Sequence, residues 1–150
     1  MTKDWKNQGL WLVVMVSVML VSVGCASTGR TVHQKAVQTT VAQFANSAAK
    51  HDVARMAEVL HKDSRQYAWF KGKLMKLPKG AYLGLLQSKK IGGPGRTLRI
   101  HSVDVLGNLA SVKVSLVGKK ASLDYYMSLM KVEGRWQIMS NVMRVTPRAS

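Results

Sequence analysis

Two long runs near the C-terminus alternate between apolar and polar positions. Residues 122–132 and 135–145 flank Glu133-Gly134, a two-residue turn in which the glycine can adopt the positive φ that a tight hairpin needs. The positions predicted to share one face of each run are Leu123, Tyr125, Met127 and Leu129, then Trp136, Ile138, Ser140 and Val142. Because the opposite faces also carry apolar residues, this hairpin is predicted to lie mid-sheet rather than at an edge.

The preceding segments predict shorter strands and three helices. Residues 96–106 and 109–117 are joined by Gly107-Asn108, a typical hairpin turn, and the runs 66–70 and 74–77 form a shorter pair. An apolar stripe with helical spacing runs through residues 31–50: Val37, Val41, Phe44, Ala45 and Ala48. Asp52 suits the N-cap of a second helix, and Pro78 suits the first turn of a third.

This order of elements predicts an α+β fold. The N-terminal helices are expected to pack in the concave face of a curved, mostly antiparallel sheet, within one domain over residues 31–146. Residues 61–64 are expected to be a loop, and the Gly-Gly-Pro-Gly segment at 92–95 a flexible connection. Residues 147–150 are predicted to be a disordered tail.

The first 24 residues have the features of an export signal. Two lysines precede an apolar run over residues 10–23, which is shorter than the roughly 20 residues that span a bilayer and predicts a signal peptide. The segment Leu20-Val-Ser-Val-Gly-Cys25 resembles a bacterial lipobox. That resemblance implies lipidation of Cys25, a tether over residues 25–30 and, because Ala26 follows, an outer-membrane anchor facing the periplasm of a Gram-negative cell. The alternatives are an ordinary signal peptide cut near Ala26 and an uncleaved anchor helix.

The charge is strongly positive, with 23 Lys and Arg against 7 Asp and Glu, or +16 in total. A basic surface favours an anionic partner, here a component of the cell envelope, although a solvated basic face is the plainer explanation. The export signal and the low aromatic content of 7% argue against a nucleic-acid partner. A single cysteine excludes an intramolecular disulfide and a zinc site built on cysteines.

Several segments together resemble a known family. They are His51-Asp52, Gly72-Lys-Leu, Pro78-Lys-Gly-Ala-Tyr-Leu, the run from Arg99 to Ala110, and above all Leu-Met-Lys-Val-Glu-Gly-Arg-Trp-Gln-Ile at 129–138. In combination they are similar to the lumazine-binding and SnoaL-like branch of the nuclear-transport-factor-2-like superfamily. The resemblance covers residues 31–145 and implies a cystatin-like cone. This fold serves enzymes, ligand-binding proteins and dimerisation modules, so it does not by itself give a function.

Candidate chemistry is limited. Asp124 and Asp104 are the candidate general bases, each weighed against simple pairing with a lysine or arginine. The four histidines are scattered at spacings that do not suit a metal, and no cofactor motif is found, so neither a metal nor a cofactor is predicted. A pocket for an apolar or aromatic ligand is predicted from five side chains: Trp69, Tyr82, Tyr126, Met130 and Trp136.

The resulting prediction is a non-catalytic, lipid-anchored envelope protein. It would bind a small apolar or aromatic ligand, or an anionic envelope component, and would form a homodimer through the outer face of its sheet. The alternative is an isomerase or cyclase that uses a pocket aspartate as general base.

Overall fold

The computed structural model describes residues 25–70 and 72–147, and within them three helices and six strands follow one another in the predicted order. The helices are α1 (Cys25–Lys50), α2 (Val53–Val59) and α3 (Lys79–Gln87). The strands are β1 (Leu60–Phe70), β2 (Lys73–Pro78), β3 (Thr97–Leu106), β4 (Leu109–Val117), β5 (Ala121–Val132) and β6 (Arg135–Pro147). The predicted signal peptide lies outside the described residues. None of the described helices is long and apolar enough to cross a bilayer.

The six strands form one open sheet in the order β2-β1-β6-β5-β4-β3. Strand β1 runs parallel to β6, and every other pairing is antiparallel. The β5–β6 hairpin lies at the centre, as predicted, and its turn residues Glu133 and Gly134 have φ values of 49° and 79°. The predicted α+β fold with a mostly antiparallel sheet is therefore confirmed.

The core of the unit that starts at His33 lies on the inner face of this sheet. The apolar stripe predicted for α1 is buried there, and Val37, Val41 and Phe44 are almost inaccessible to solvent. Alternate residues of the central strands face them: Val112 and Val114 from β4, and Met127 and Leu129 from β5. Each fully buried side chain of this size stabilises the fold by about 2 kcal/mol.

Strand β6 contains a β-bulge that reverses the faces predicted for its second half. Leu129 pairs with Ile138, but the preceding Ser128 pairs with Ser140, so Met139 is an extra residue without a cross-strand partner. Because side chains alternate with a period of two, one extra residue moves every later side chain to the other face. The prediction that Ser140 and Val142 share a face with Trp136 and Ile138 is wrong, since Asn141 and Met143 lie on that face instead.

Two element boundaries also differ from the prediction. Residues 25–30 belong to helix α1, whereas a tether was predicted; the segment contains no proline that would interrupt the backbone hydrogen bonds. Strand β1 begins at Leu60 and includes the expected loop at residues 61–64, because Leu60 is buried beside its β6 partner Ile138.

The glycine-rich segment after α3 is held in place rather than flexible. The Gly93 amide donates a hydrogen bond of 2.9 Å to the carbonyl oxygen of Ala48, near the C-terminal end of α1. Gly92 lies so close to the same carbonyl that a Cβ at this position would overlap it. The segment thereby closes one side of the space between α1 and the sheet.

Helix α3 is fixed by its first residue. The Lys79 ammonium donates hydrogen bonds of 2.6 and 2.7 Å to the carbonyl oxygens of Ala57 in α2 and of Leu60 at the start of β1. Burial lowers the pKa of Lys79. This contact orients α3 so that its apolar face, including Tyr82 and Leu86, packs on the core.

Candidate functional site

A cavity of about 420 Å³ lies between the end of α1, helix α3 and the inner face of the sheet. Its walls come from α1, β1, β2, α3, the glycine-rich segment and the inward positions of β4, β5 and β6. Most of the lining is apolar, with residues such as Leu77, Leu85, Leu116, Leu123 and Met143. A volume of this size suits a small organic molecule.

Two buried carboxamide side chains interrupt this mostly apolar wall. Gln66 of β1 and Asn141 of β6 are paired across the parallel strands and both line the cavity. The cross-strand row that contains them is otherwise apolar, with Leu77 before them and Met127, Val112 and Val103 after them. Gln66 is 4% exposed and Asn141 is 2% exposed. Two buried amides in the middle of an apolar row are unexpected on packing grounds.

Three of the four polar atoms of these carboxamides are buried without a hydrogen-bond partner among the described residues. The unpaired atoms are Nε2 and Oε1 of Gln66 and Nδ2 of Asn141. Buried polar groups are nearly always hydrogen-bonded, because leaving one unpaired costs about 1–3 kcal/mol. The cavity beside them is the place where a bound molecule can supply the missing partners.

Two tyrosines form an aromatic section of the wall. The ring of Phe44 stacks on Tyr82 at 6.3 Å and meets Tyr125 edge-on at 5.9 Å between centroids. Burial raises the pKa of Tyr125 to about 12 and raises that of Tyr82 further. Both phenols therefore stay protonated at physiological pH, so they can donate hydrogen bonds but cannot serve as bases.

Lys90 and Arg96 give this otherwise apolar cavity a positive edge. Both residues are solvent-exposed and belong to its lining, where none of the described residues is an aspartate or glutamate. The positive charge of Arg96 also lowers the pKa of Tyr125, against the larger effect of burial. A negatively charged group near this edge would be attracted.

Of the five predicted pocket residues, the structure places Tyr82 alone in the wall of this cavity. Trp69 and Tyr126 are 60% and 62% exposed on the outer face, because they alternate with the inward residues Ala68 and Tyr125. Met130 is half-buried near the end of β5, and Trp136 is buried in the core, where it contacts His33 edge-on. A ligand in this cavity would not meet these four residues.

Asp124 lies on the outer face within a network of hydrogen bonds. Ser115 Oγ donates to it at 2.6 Å, Thr146 Oγ1 at 2.7 Å and Ser122 Oγ at 3.2 Å, and Arg144 Nε lies 3.5 Å from the carboxylate. The hydrogen bond from Ser115, followed by that from Thr146, lowers the pKa of Asp124 to about 2. A carboxylate stabilised in this way is a weak base.

The other candidate base is also remote from the cavity. Asp104 is exposed on the outer face, opposite Ser111 of β4, and does not belong to the lining. Among residues 25–70 and 72–147, no group of three or more His, Cys, Asp or Glu side chains is arranged to hold a metal ion. The described residues that line the cavity therefore include no aspartate that could act as a general base.

Gln66, Asn141 and Arg96 are cavity residues that were not predicted from the sequence. A signal for Gln66 existed, since it is a polar residue at an inward position of a predicted strand. For Asn141 no such signal existed, because uninterrupted alternation places it on the outer face and the bulge at Met139 turns it inward. Arg96 is recognised only once the glycine-rich segment is seen to close the cavity.

The fold resembles those of several solved structures. A nuclear-transport-factor-2-like protein of unknown function from Silicibacter pomeroyi matches with a TM-score of 0.70 at 19% identity, over 77% of this chain and 97% of that one. A similar protein from Shewanella baltica matches with a TM-score of 0.69 at 18% identity, over 79% and 97% of the two chains. A cystatin-like protein of unknown function from Nostoc punctiforme matches with a TM-score of 0.59 at 16% identity, over 75% and 90%. At these identities the likeness concerns the fold.

Comparison with protein families gives a more specific result. No curated protein matches the chain significantly. The model of the family described as "Putative lumazine-binding" matches residues 32–144, which is most of the chain and includes the cavity, both carboxamides and the central hairpin. The chain therefore belongs to this family, and its fold is that of nuclear-transport-factor-2-like proteins.

Proposed function

We propose that this protein binds a small apolar or aromatic molecule in the cavity between α1, α3 and the sheet. The observation that carries the proposal is the unpaired Gln66–Asn141 pair in an otherwise apolar wall. A closed core would gain stability from apolar residues at these positions, whereas a binding site needs a few polar groups that orient the ligand. The family description, which refers to a heterocyclic ligand, is consistent with this proposal.

A variant that fills the cavity tests this function. Ala68→Phe places a ring at an inward, cavity-lining position of β1, and it is expected to weaken binding of the fluorescent probe 1-anilinonaphthalene-8-sulfonate at least tenfold. Ser128→Phe adds the same ring to the exposed outer face and should leave binding unchanged. Circular dichroism checks that both variants fold, and Leu85→Trp is a second way to fill the cavity. Equal binding by wild type and both filled variants would contradict the proposal.

We also propose that the protein is anchored in the cell envelope by lipid on Cys25, and that it faces the periplasm from the outer membrane if the cell is Gram-negative. The supporting observation is the lipobox-like segment that ends at this cysteine, the single one in the chain. Radiolabelled palmitate is expected to enter the wild-type protein and not Cys25→Ala. Equal labelling of the two proteins would exclude this anchor site.

The basic edge of the domain supports an anionic envelope component as a second partner. In addition to Lys90 and Arg96, Arg99, Lys119 and Lys120 are exposed, and Arg99 and Lys119 line a shallow depression together with Gly95. Binding to anionic liposomes should fall steeply as salt rises, because salt screens exposed charges. Binding that persists in high salt would argue against this partner.

The outer face of the sheet supports a homodimer. Leu74, Trp69, Val142 and Tyr126 are exposed across four neighbouring strands, and Lys113 lies 5.6 Å over the Tyr126 ring. An exposed apolar surface of this extent is typical of an interface. Sedimentation is expected to show a dimer that Val142→Asp converts to monomer, while Gln43→Asp, at an exposed position of α1 and not on the outer face of the sheet, leaves it intact. A monomeric wild type would contradict the dimer.

A further inference from the structure

We infer that the ligand of this cavity combines two features: a neutral edge that both donates and accepts hydrogen bonds, held at Gln66 and Asn141, and a negatively charged group held at Lys90 and Arg96. The inference rests on the proposed binding function and specifies the chemical class of the ligand. Planar rings with a lactam or imide edge and an acidic substituent belong to this class.

The neutral edge of the ligand is inferred from the unpaired hydrogen-bonding atoms of the two carboxamides. Each carboxamide has an amino group that donates and an oxygen that accepts, and the unpaired atoms comprise two donors and one acceptor. Exchange of the amide nitrogen and oxygen by rotation changes their positions but leaves each group with both functions. A carboxylate would satisfy the donors and would repel the Gln66 oxygen. A lactam or imide, which carries N–H beside C=O, can satisfy donor and acceptor together.

The geometry allows one flat molecule to reach both amides. Gln66 and Asn141 are direct cross-strand partners in the parallel β1–β6 pair, so their side chains project from the same face of the sheet as neighbours. The terminal torsion of a carboxamide is broad, so either group can turn toward a molecule in the cavity at little cost. The aromatic rings of Tyr82 and Tyr125 line the same cavity and offer flat apolar contact to a ring.

The negative charge follows from the electrostatics of the lining. Lys90 and Arg96 are its two described cations, and no described lining residue is acidic. Arg96 donates one hydrogen bond, from Nη1 to the Gly92 carbonyl oxygen at 3.3 Å, which engages part of a guanidinium with five donors. Arginine in such a position can bind a carboxylate or sulfonate through its other donors. An uncharged ligand would leave this attraction unused.

A purely apolar ligand, such as an acyl chain, fits the volume but not the polar groups. It would cover Gln66 and Asn141 without pairing them, so its binding would include the penalty for two buried unpaired amides. The observations therefore favour the two-featured ligand over a simple acyl chain.

Three fluorescent probes separate the two features. 4-Sulfo-1,8-naphthalimide carries a planar ring, an imide edge and a sulfonate at the opposite end. Its N-methyl derivative lacks the imide N–H, and 1,8-naphthalimide lacks the sulfonate. Titration of the full chain is expected to give the tightest binding for the first probe and at least tenfold weaker binding for each of the other two. Binding of the sulfonated probe should also weaken as salt rises.

Matched variants assign each feature to its residues. In Gln66→Met, the preference for the N–H probe over the N-methyl probe should disappear, while Gln43→Met on the exposed face of α1 retains it. In Lys90→Met and Arg96→Met, the preference for the sulfonated probe should fall, while Arg135→Met at the exposed start of β6 retains it. Both Lys90 and Arg96 are substituted, because Arg96 also contacts the glycine-rich segment and its loss could change the fold there.

The outcomes distinguish this inference from the proposed function. If all three probes bind equally well and Ala68→Phe abolishes binding, the cavity binds ligands but the ligand class inferred here is wrong. If the N–H and N-methyl probes differ equally in wild type and Gln66→Met, the carboxamides are not the recognising groups. If neither these probes nor 1-anilinonaphthalene-8-sulfonate binds, the proposed function itself fails and the inference fails with it.

Discussion

Replacing Gly92 with alanine is expected to lower the free energy of unfolding by about 3–5 kcal/mol. Gly92 has a φ of +85°, a conformation that is strained for any residue with a Cβ. An added Cβ would also overlap the carbonyl oxygen of Ala48 and lie 2.9 Å from Leu86 Cδ1. The carbonyl belongs to helix α1 and also accepts the hydrogen bond from Gly93, so its contact with the added Cβ cannot relax without moving the segment.

Gly95 provides the matched control for this substitution. Its φ is +87°, almost the same as that of Gly92, but a Cβ there would meet nothing within 4 Å. Gly95→Ala should therefore lose about 1 kcal/mol through backbone strain alone. Urea unfolding followed by circular dichroism gives both values. Equal losses for the two variants would mean that the close approach to Ala48 does not contribute.

The second large effect is an expected increase in the free energy of unfolding. The double substitution Gln66→Met and Asn141→Leu is expected to raise the free energy of unfolding by about 2 kcal/mol or more. Each change removes a buried amide that lacks partners among the described residues and adds buried apolar surface of similar volume. Most substitutions at buried positions destabilise a protein, so an increase here would be unusual. Thermal unfolding should show a midpoint higher by roughly 8 °C.

Thr40→Val is the control for the double variant. Thr40 is also buried and polar, but its hydroxyl lies within hydrogen-bond distance of two carbonyl oxygens, of Ala36 at 3.2 Å and Trp136 at 3.4 Å. Its replacement should lower the free energy of unfolding by about 1 kcal/mol, because a satisfied polar group is lost. If the double variant were destabilised as much as Thr40→Val, the two carboxamides would have a structural role that their surroundings do not show.

The two predictions together separate the parts of the cavity. Gly92 and Gly93 close one side of the cavity wall, and their contacts with Ala48 stabilise the fold. Gln66 and Asn141 reduce that stability, which is expected of polar groups that are kept for a ligand rather than for packing. A double variant that is more stable and has lost binding would be direct evidence for this division.

The secondary-structure elements and their order could be predicted from the amino-acid sequence alone. The alternation in β4 and β5, the Gly107-Asn108 and Glu133-Gly134 turns, the Asp52 cap and the apolar stripe of α1 are local signals, and all of them appear in the structure. They were readable because each depends on residues close together in the chain. The same signals were sufficient to predict that β5 and β6 lie mid-sheet.

Which side chains face the cavity depends on strand register and on contacts between distant parts of the chain. An extra residue at Met139 can be seen only against the paired strand β5, and it brings Asn141 beside Gln66, a residue 75 positions earlier in the chain. Likewise, the glycine-rich segment was expected to be flexible until its contact with Ala48 was known. Strand register and long-range contacts depend on partners distant in sequence, and the period of a single strand cannot reveal a bulge, so the site emerged only from the folded chain.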